Sequence, residues 1–284
     1  MKILCLHGVG SSGSICKSQF RAFLKAVDPS YEFVFAEGPA LSERGPGMGL
    51  YFEGPFYSHT TGYSPDEMAD ALEHLDTTID ELGPFDGILG FSQGAALALS
   101  YMCQQQIRGA PPPFKFALCF SSVIPFSADA VYCQSVVRRL CALRRDMTVT
   151  PSADDPVLTR DERLFCEVML RTVIAAKKKG AALPEYSMDV YSRGDGSKAP
   201  RIMHAQLLKD KLQIPTVHVT GRRDFDFMQN MSDIARGLCE EGLTRKLEHS
   251  GGHHPPQKDA EVKAAVRAME WAISQSERMP SHRL

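Results

Sequence analysis

One stretch constrains this chain more than any other: Gly90-Phe91-Ser92-Gln93-Gly94, between a short apolar run, Asp86 to Leu89, and an unusually apolar helical stretch, Ala95 to Met102. The order is strand, G-x-S-x-G, helix. That motif requires this setting, because a sharp strand-to-helix turn forces the serine into a strained backbone conformation. Gly90, Gly94, Ala95 and Ala96 are small enough to let strand and helix approach closely. The helix N-terminus begins where an anionic intermediate would need stabilising. Ser92 reads as a nucleophile, and its competing reading is a helix N-cap after a buried strand.

The 284 residues, 43% apolar and 23% charged, are enough for one large α/β domain rather than two equal ones. No apolar run approaches the ~18 residues of a membrane span, and the N-terminus enters an apolar strand with no signal-like preface. The expectation is a chain that starts at Met1 and stays in the cytoplasm. Eight scattered cysteines without a C-x-x-C pair favour buried free thiols over a disulfide frame or a zinc site. A net charge of -2 gives no reason to invoke nucleic acid. The last three residues, His282-Arg283-Leu284, depart from the peroxisomal S-K-L at their first two positions, so a frayed tail is the favoured reading and a peroxisomal address the weak alternative.

Along the chain, Lys2 to Leu6 is an expected buried strand that runs into His7-Gly8-Val9-Gly10-Ser11-Ser12-Gly13. This loop lacks the G-K-[ST] ending of a phosphate-binding loop and matches G-x-G-x-x-G poorly. It suits a turn that aims a backbone N–H at the serine, with the N–H of Val9 (Gly8 or Gly10 as neighbours in doubt) joining that of Gln93 as an oxyanion hole. His7 is expected to hold the loop rather than to act as a base. Helical spacing over Ser14 to Val27, a strand over Tyr31 to Glu37, and the strand–helix alternation beyond argue for a parallel sheet covered on both faces.

Gly38 to Tyr63 is too long for a plain connection, and its aromatics suggest either a wall of an apolar cleft or satellite packing by Tyr51, Phe52, Phe56 and Tyr57. Ser64-Pro65-Asp66-Glu67 starts a helix that Gly83-Pro84 stops. Strands follow at Phe114 to Phe120, Thr216 to Thr220 and Leu243 to Glu248, with helices at Phe227 to Glu241 and Lys258 to Ser274. Between the first two of those strands lie roughly 90 residues, far more than the ~10 to 12 of a simple crossover. A helical lid or cap inserted over residues 127–200 of a single 1–284 domain is the expectation. Its basic runs (Arg138-Arg139, Arg144-Arg145, Lys177-Lys178-Lys179) are read first as solvated helix faces.

A serine hydroxyl needs a base, and the base needs a carboxylate to fix its tautomer. Ser92, Asp224 and His253 occur in the order Ser, acid, His of the α/β hydrolases, each after an expected strand. Asp226 is the rival acid. Among the histidines, Gly251-Gly252 lets His253 swing back over the sheet, whereas His254 precedes a proline and His249 ends the strand.

The segments L-C-L-H-G, G-F-S-Q-G, G-R-R-D and G-G-H-H-P together resemble the fungal-type serine hydrolase family of α/β hydrolases. That family includes small carboxylesterases and thioesterases that release polyketides from fungal synthases. The resemblance spans nearly the whole chain. It implies an α/β-hydrolase fold, Ser92 as nucleophile, Asp224 as acid, His253 as base, and N–H groups near Val9 and at Gln93 as oxyanion donors. It implies no metal or cofactor, an ester or thioester substrate, and for the thioesterase case an acyl carrier domain as partner, which the basic runs could steer. The long 127–200 insertion departs from the compact family pattern and puts substrate size and shape in doubt. The alternative from another class is a non-catalytic small-molecule receptor on the same scaffold.

Overall fold

The structure, a computed structural model, describes residues 1–152 and 155–279. The tripeptide His282-Arg283-Leu284 lies outside the described residues. In chain order, Lys2–Leu6 (β1) leads to helices Gly13–Gln19 (α1) and Arg21–Ala26 (α2), strand Glu32–Ala36 (β2), and a ribbon of Ala40–Ser42 (β3) with Phe56–Ser58 (β4). Helix Pro65–Leu82 (α3), strand Gly87–Phe91 (β5), helix Gln93–Ile107 (α4) and strand Phe116–Phe120 (β6) follow. After Phe126–Ser127 (β7) come Gln134–Ala142 (α5), Arg160–Met169 (α6), Ala175–Lys178 (α7) and Arg201–Ile202 (β8). The chain then finishes with Thr216–Gly221 (β9), Asp226–Gly237 (α8), Thr244–His249 (β10) and Asp259–Arg278 (α9).

Side chains alternate across a strand, and here both faces are apolar. Leu4, Leu6, Ile88, Ala117 and Cys119 point to a core shared with α3, α4 and α8, whereas Ile3, Cys5, Leu89, Phe91, Leu118 and Val219 point to one shared with α1, α2 and α9. A six-stranded sheet in the order β10-β9-β6-β5-β1-β2 lies between them, every pairing parallel. The order reverses between β1 and β5. A crevice opens at the carboxyl ends of strands at such a point.

Ser64 and Glu67 form the expected capping box, with Pro65 in the first turn of α3. The helix expected over Ser14 to Val27 is instead two, broken at Phe20. That ring sits edge-on to Phe23, Phe91 and Phe120, so packing in the core overrides the local helical spacing. All eight cysteines lie among the described residues as free thiols, seven of them buried. Among the described residues no helix is long and apolar enough to cross a membrane.

The segment from β7 to β8 leaves and returns through a two-residue antiparallel ribbon, Phe126 opposite Ile202 and Ser127 opposite Arg201. Thr159 and Glu162 cap α6, and Glu162, buried, also pairs with Arg139 at 2.9 Å. From α6 the chain passes through a π-helical turn, Leu170–Ile174, into α7. Arg171 and Asn230 exchange hydrogen bonds that tie this turn to α8. Phe165, Val173, Ile174 and Tyr191 belong to the same core as α3 and α4.

Candidate active site

Ser92 sits at the turn between β5 and α4 with φ 53° and ψ -113°. That left-handed φ is strained for a residue with a side chain, and surrounding bonds hold it: the Ser92 N–H donates to the Phe120 carbonyl at 2.9 Å. A Cβ on Gly94 would lie 2.4 Å from the Leu6 carbonyl oxygen, so only glycine lets α4 start this close to β1. The Ser92 hydroxyl caps nothing in α4. It meets Nε2 of His253 at 3.1 Å.

Asp224 follows β9, and His253 follows β10. Their loops are laced together: the N–H of Arg222 donates to the His249 carbonyl at 2.8 Å and that of Arg223 to the Gly251 carbonyl at 2.9 Å. A Cβ on Gly221 would sit 2.2 Å from the Gly252 carbonyl oxygen, which shows how tightly the two turns touch. The contact sets Oδ2 of Asp224 2.8 Å from Nδ1 of His253. Oδ1 of Asp224 accepts the Phe225 N–H at 2.9 Å, and the carboxylate is almost wholly buried. With Nδ1–H donating to Asp224, the Nε2 lone pair of His253 faces the serine. The His253 ring lies against Phe91, their centroids 5.1 Å apart.

The rival residues are placed elsewhere. Asp226 is exposed in the first turn of α8. His249 is buried and accepts the Gly251 N–H, and His254 bonds the Pro255 carbonyl. Burial lowers the pKa of His249 below its ordinary value.

Val9 and Gln93 both line the cleft beside Ser92, and neither backbone N–H has an acceptor among the described residues. A Cβ on Gly8 would lie 3.4 Å from the Ser92 Cβ, so the loop after β1 packs directly on the serine. His7 anchors that loop: its Nδ1 bonds the Gly8 carbonyl at 2.7 Å and its Nε2 accepts the Gly38 N–H at 2.9 Å. Burial drives the His7 pKa down to about 4, which keeps the ring neutral and Nε2 an acceptor.

The cleft holds about 290 Å³ and is mostly apolar. Val123, Ile124 and Phe126 form its wall beyond β6, Met228 and Met231 its wall on α8, and Val173 and Leu183 its side on the 128–200 segment. From the long loop, only Gly45 to Met48 and Tyr63 reach the cleft. The aromatics expected there lie outside its walls: Tyr51 lies tilted against Phe52, their centroids 4.4 Å apart, and is 79% exposed, and Phe56 carries the Arg44 guanidinium.

A network around Gln93 has no counterpart in the sequence reading. Its Oε1 accepts from the His59 N–H at 2.9 Å and from the Ser58 hydroxyl at 3.1 Å, and its Nε2 donates to Tyr63 at 3.3 Å. Tyr63 in turn donates to the Leu183 carbonyl at 2.5 Å. The motif marked Gln93 only through its main chain. The one local signal for Tyr63 was its place directly before the capping box.

A doubly covered parallel sheet with a strained serine at its central strand–helix turn defines an α/β-hydrolase fold. The family comparison agrees. The serine hydrolase (FSH1) family model matches residues 1–265, and the chain belongs to that family. It is 41% identical over 278 residues to esterase alnB of Emericella nidulans, covering 98% of each chain. It is 30% identical to serine hydrolase cnsH of Penicillium expansum, over 81% of this chain and 95% of that one. Among solved structures, a carboxylesterase from Mesorhizobium loti aligns with a TM-score of 0.48 at 12% identity, over 95% of this chain and 88% of that one. The receptor reading finds no support in these relatives.

Proposed function

We propose that the protein hydrolyses an ester or thioester through an acyl-Ser92 intermediate. The observation that carries this reading is the hydrogen-bonded row Ser92–His253–Asp224 opening onto an apolar cleft. As Ser92 Oγ attacks the scissile carbonyl, His253 Nε2 takes its proton, and buried Asp224 steadies the imidazolium. The oxyanion receives the N–H groups of Val9 and Gln93, the latter at the N-terminus of α4. The imidazolium then protonates the departing alcohol or thiol. Water activated by the same ring releases the acid. Replacing Ser92 with Ala should abolish both turnover of a p-nitrophenyl ester and labelling by a fluorophosphonate. Labelling that survives the substitution would falsify the assignment.

The segment 127–200 acts in this reading as a cover, since Val173, Ala182, Leu183 and Tyr186 line the cleft from that side. An apolar acyl group of the polyketide type suits those walls. Its delivery as a thioester on an acidic carrier domain is favoured by Arg138, Lys178 and Lys179, which are exposed, with no ion pair among the described residues, Lys179 at the cleft itself. The free thiols favour a reducing compartment such as the cytoplasm.

A further inference from the structure

Three buried polar atoms on the cleft wall have no hydrogen-bond partner among the described residues: Ser11 Oγ, Gln19 Oε1 and the Tyr186 hydroxyl. Ser11 lies two residues beyond Val9 and is 2% exposed. Its main chain is fully engaged, its N–H donating to the Tyr57 carbonyl at 3.2 Å and its own carbonyl accepting the Tyr57 N–H at 2.6 Å. Its Oγ, by contrast, is buried and bonds nothing among the described residues. Gln19, at the end of α1, lines the same cleft, and its Oε1 is also buried and unpaired. The Gln19 carbonyl accepts from Nε2 of Gln257 at 3.2 Å, which holds the end of α1 against the loop that carries His253.

A buried hydroxyl or amide oxygen left unpaired carries a desolvation cost that a ligand able to pair it removes. The polar side chains around the serine are satisfied: Gln93 by Ser58 and His59, Tyr63 by Leu183, Ser92 by His253. Of the three unpaired groups, Ser11 and Gln19 belong to the loop after β1 and to α1, in the part of the chain that also carries Val9, whereas Tyr186 belongs to the 128–200 segment. Such groups discriminate strongly between ligands that pair them and ligands that do not.

We infer that Ser11 and Gln19 form a polar subsite that reads a hydroxyl group on the substrate close to its scissile carbonyl. A hydroxyl can pair with either, donating to Oε1 of Gln19 or accepting from the Ser11 hydroxyl. A ketone would satisfy only Ser11, and an alkyl group neither. Two residues of chain span at most about 7 Å, so Ser11 stands within a few bonds of an oxyanion held at Val9. The inference rests on the hydrolase reading above and narrows its substrate class to hydroxylated esters or thioesters.

Two pairs of shape-matched esters test it. The first sets p-nitrophenyl 3-hydroxybutanoate against p-nitrophenyl 3-methylbutanoate, with the hydroxyl on the acyl group. The second sets 2-hydroxyethyl butanoate against propyl butanoate, with the hydroxyl on the alcohol. The unmodified protein should favour the hydroxylated member of one pair by about ten-fold or more in kcat/KM, and which pair does so assigns the subsite to the acyl or the alcohol side. Ser11→Ala and Gln19→Met should each bring that ratio toward one. The ratio does not depend on how much of a variant folds. Ratios near one for both pairs in the unmodified protein overturn the subsite while leaving the hydrolase reading intact. No turnover of any ester, together with no fluorophosphonate labelling, removes both.

Discussion

Oδ2 of Asp224 stands 2.8 Å from Nδ1 of His253, although the two residues belong to loops on different strands. Asp224→Asn keeps the shape but turns an obligate acceptor into a group that can stabilise the wrong tautomer. The expected result is a fall in kcat of about 10³ to 10⁴. Asp226→Asn, exposed and off this line, should stay within about two-fold on the same p-nitrophenyl ester. Equal losses from the two substitutions would exchange their roles.

Gln93 has two separable duties in the proposed mechanism. Its N–H is the proposed oxyanion donor, and its amide braces Ser58, His59 and Tyr63. Gln93→Ala keeps the first and removes the second, so it should lower stability by about 2 kcal/mol in urea denaturation. Activity should fall far less than in Ser92→Ala. A stable variant with abolished turnover would contradict this division.

Acid should weaken the fold before it touches most carboxylates. Burial lowers the pKa of His7 to about 4 and that of His218 to about 3, and pushes His59 well down, from an ordinary value of 6.5. Above pH 6.5 these rings are neutral folded or unfolded, and their contribution is constant. Below it the unfolded chain takes up protons that the folded one refuses, so stability falls until the folded rings titrate. For His7 that window runs from 6.5 down to about 4, a loss of about 3 kcal/mol. Urea midpoints measured from pH 7.5 to 4 should drop steadily, and His218→Gln should make the slope shallower. A midpoint flat across that range would sink the argument.

The basic runs of the 128–200 segment divide once their partners are known. Arg139 pairs with Glu162, and Lys177 with Glu185 and the Tyr186 carbonyl, so reversing them would damage the segment itself. Arg138 and Lys178 are the informative pair. Arg138→Glu with Lys178→Glu should slow a carrier-bound thioester at low salt by about ten-fold, while a small ester is hydrolysed as before. Identical rates on carrier-bound substrate, before and after reversal, would discard carrier docking through this face.

Much of this arrangement could be read from the sequence because its parts are local. A glycine-flanked serine between an apolar strand and an apolar helix, and an aspartate and a histidine just past later strands, are each signals within a dozen residues. Strand boundaries moved by one or two positions, as with β10, which ends at His249 rather than Glu248, while the last two helices moved by four at their ends, α8 stopping at Gly237 rather than Glu241 and α9 running to Arg278 rather than Ser274. What could not be read depends on distant partners. The break at Phe20 comes from a ring wedged among Phe23, Phe91 and Phe120, and the β3–β4 ribbon pairs residues on either side of a long loop. Ser11 and Gln19 look like ordinary loop and helix residues until the fold buries their oxygens in the cleft wall.

The ribbon that joins Phe126 to Ile202 brings the beginning and end of the 128–200 segment to the same spot. Chain can be gained or lost between those points without shifting β6 or β9, yet Phe165, Val173 and Tyr191 are sunk in the common interior and bar wholesale removal. The side of the cleft lined by Val173 and Leu183 can thus vary piecemeal, while Ser92, Asp224 and His253, which lie outside the segment, keep their positions.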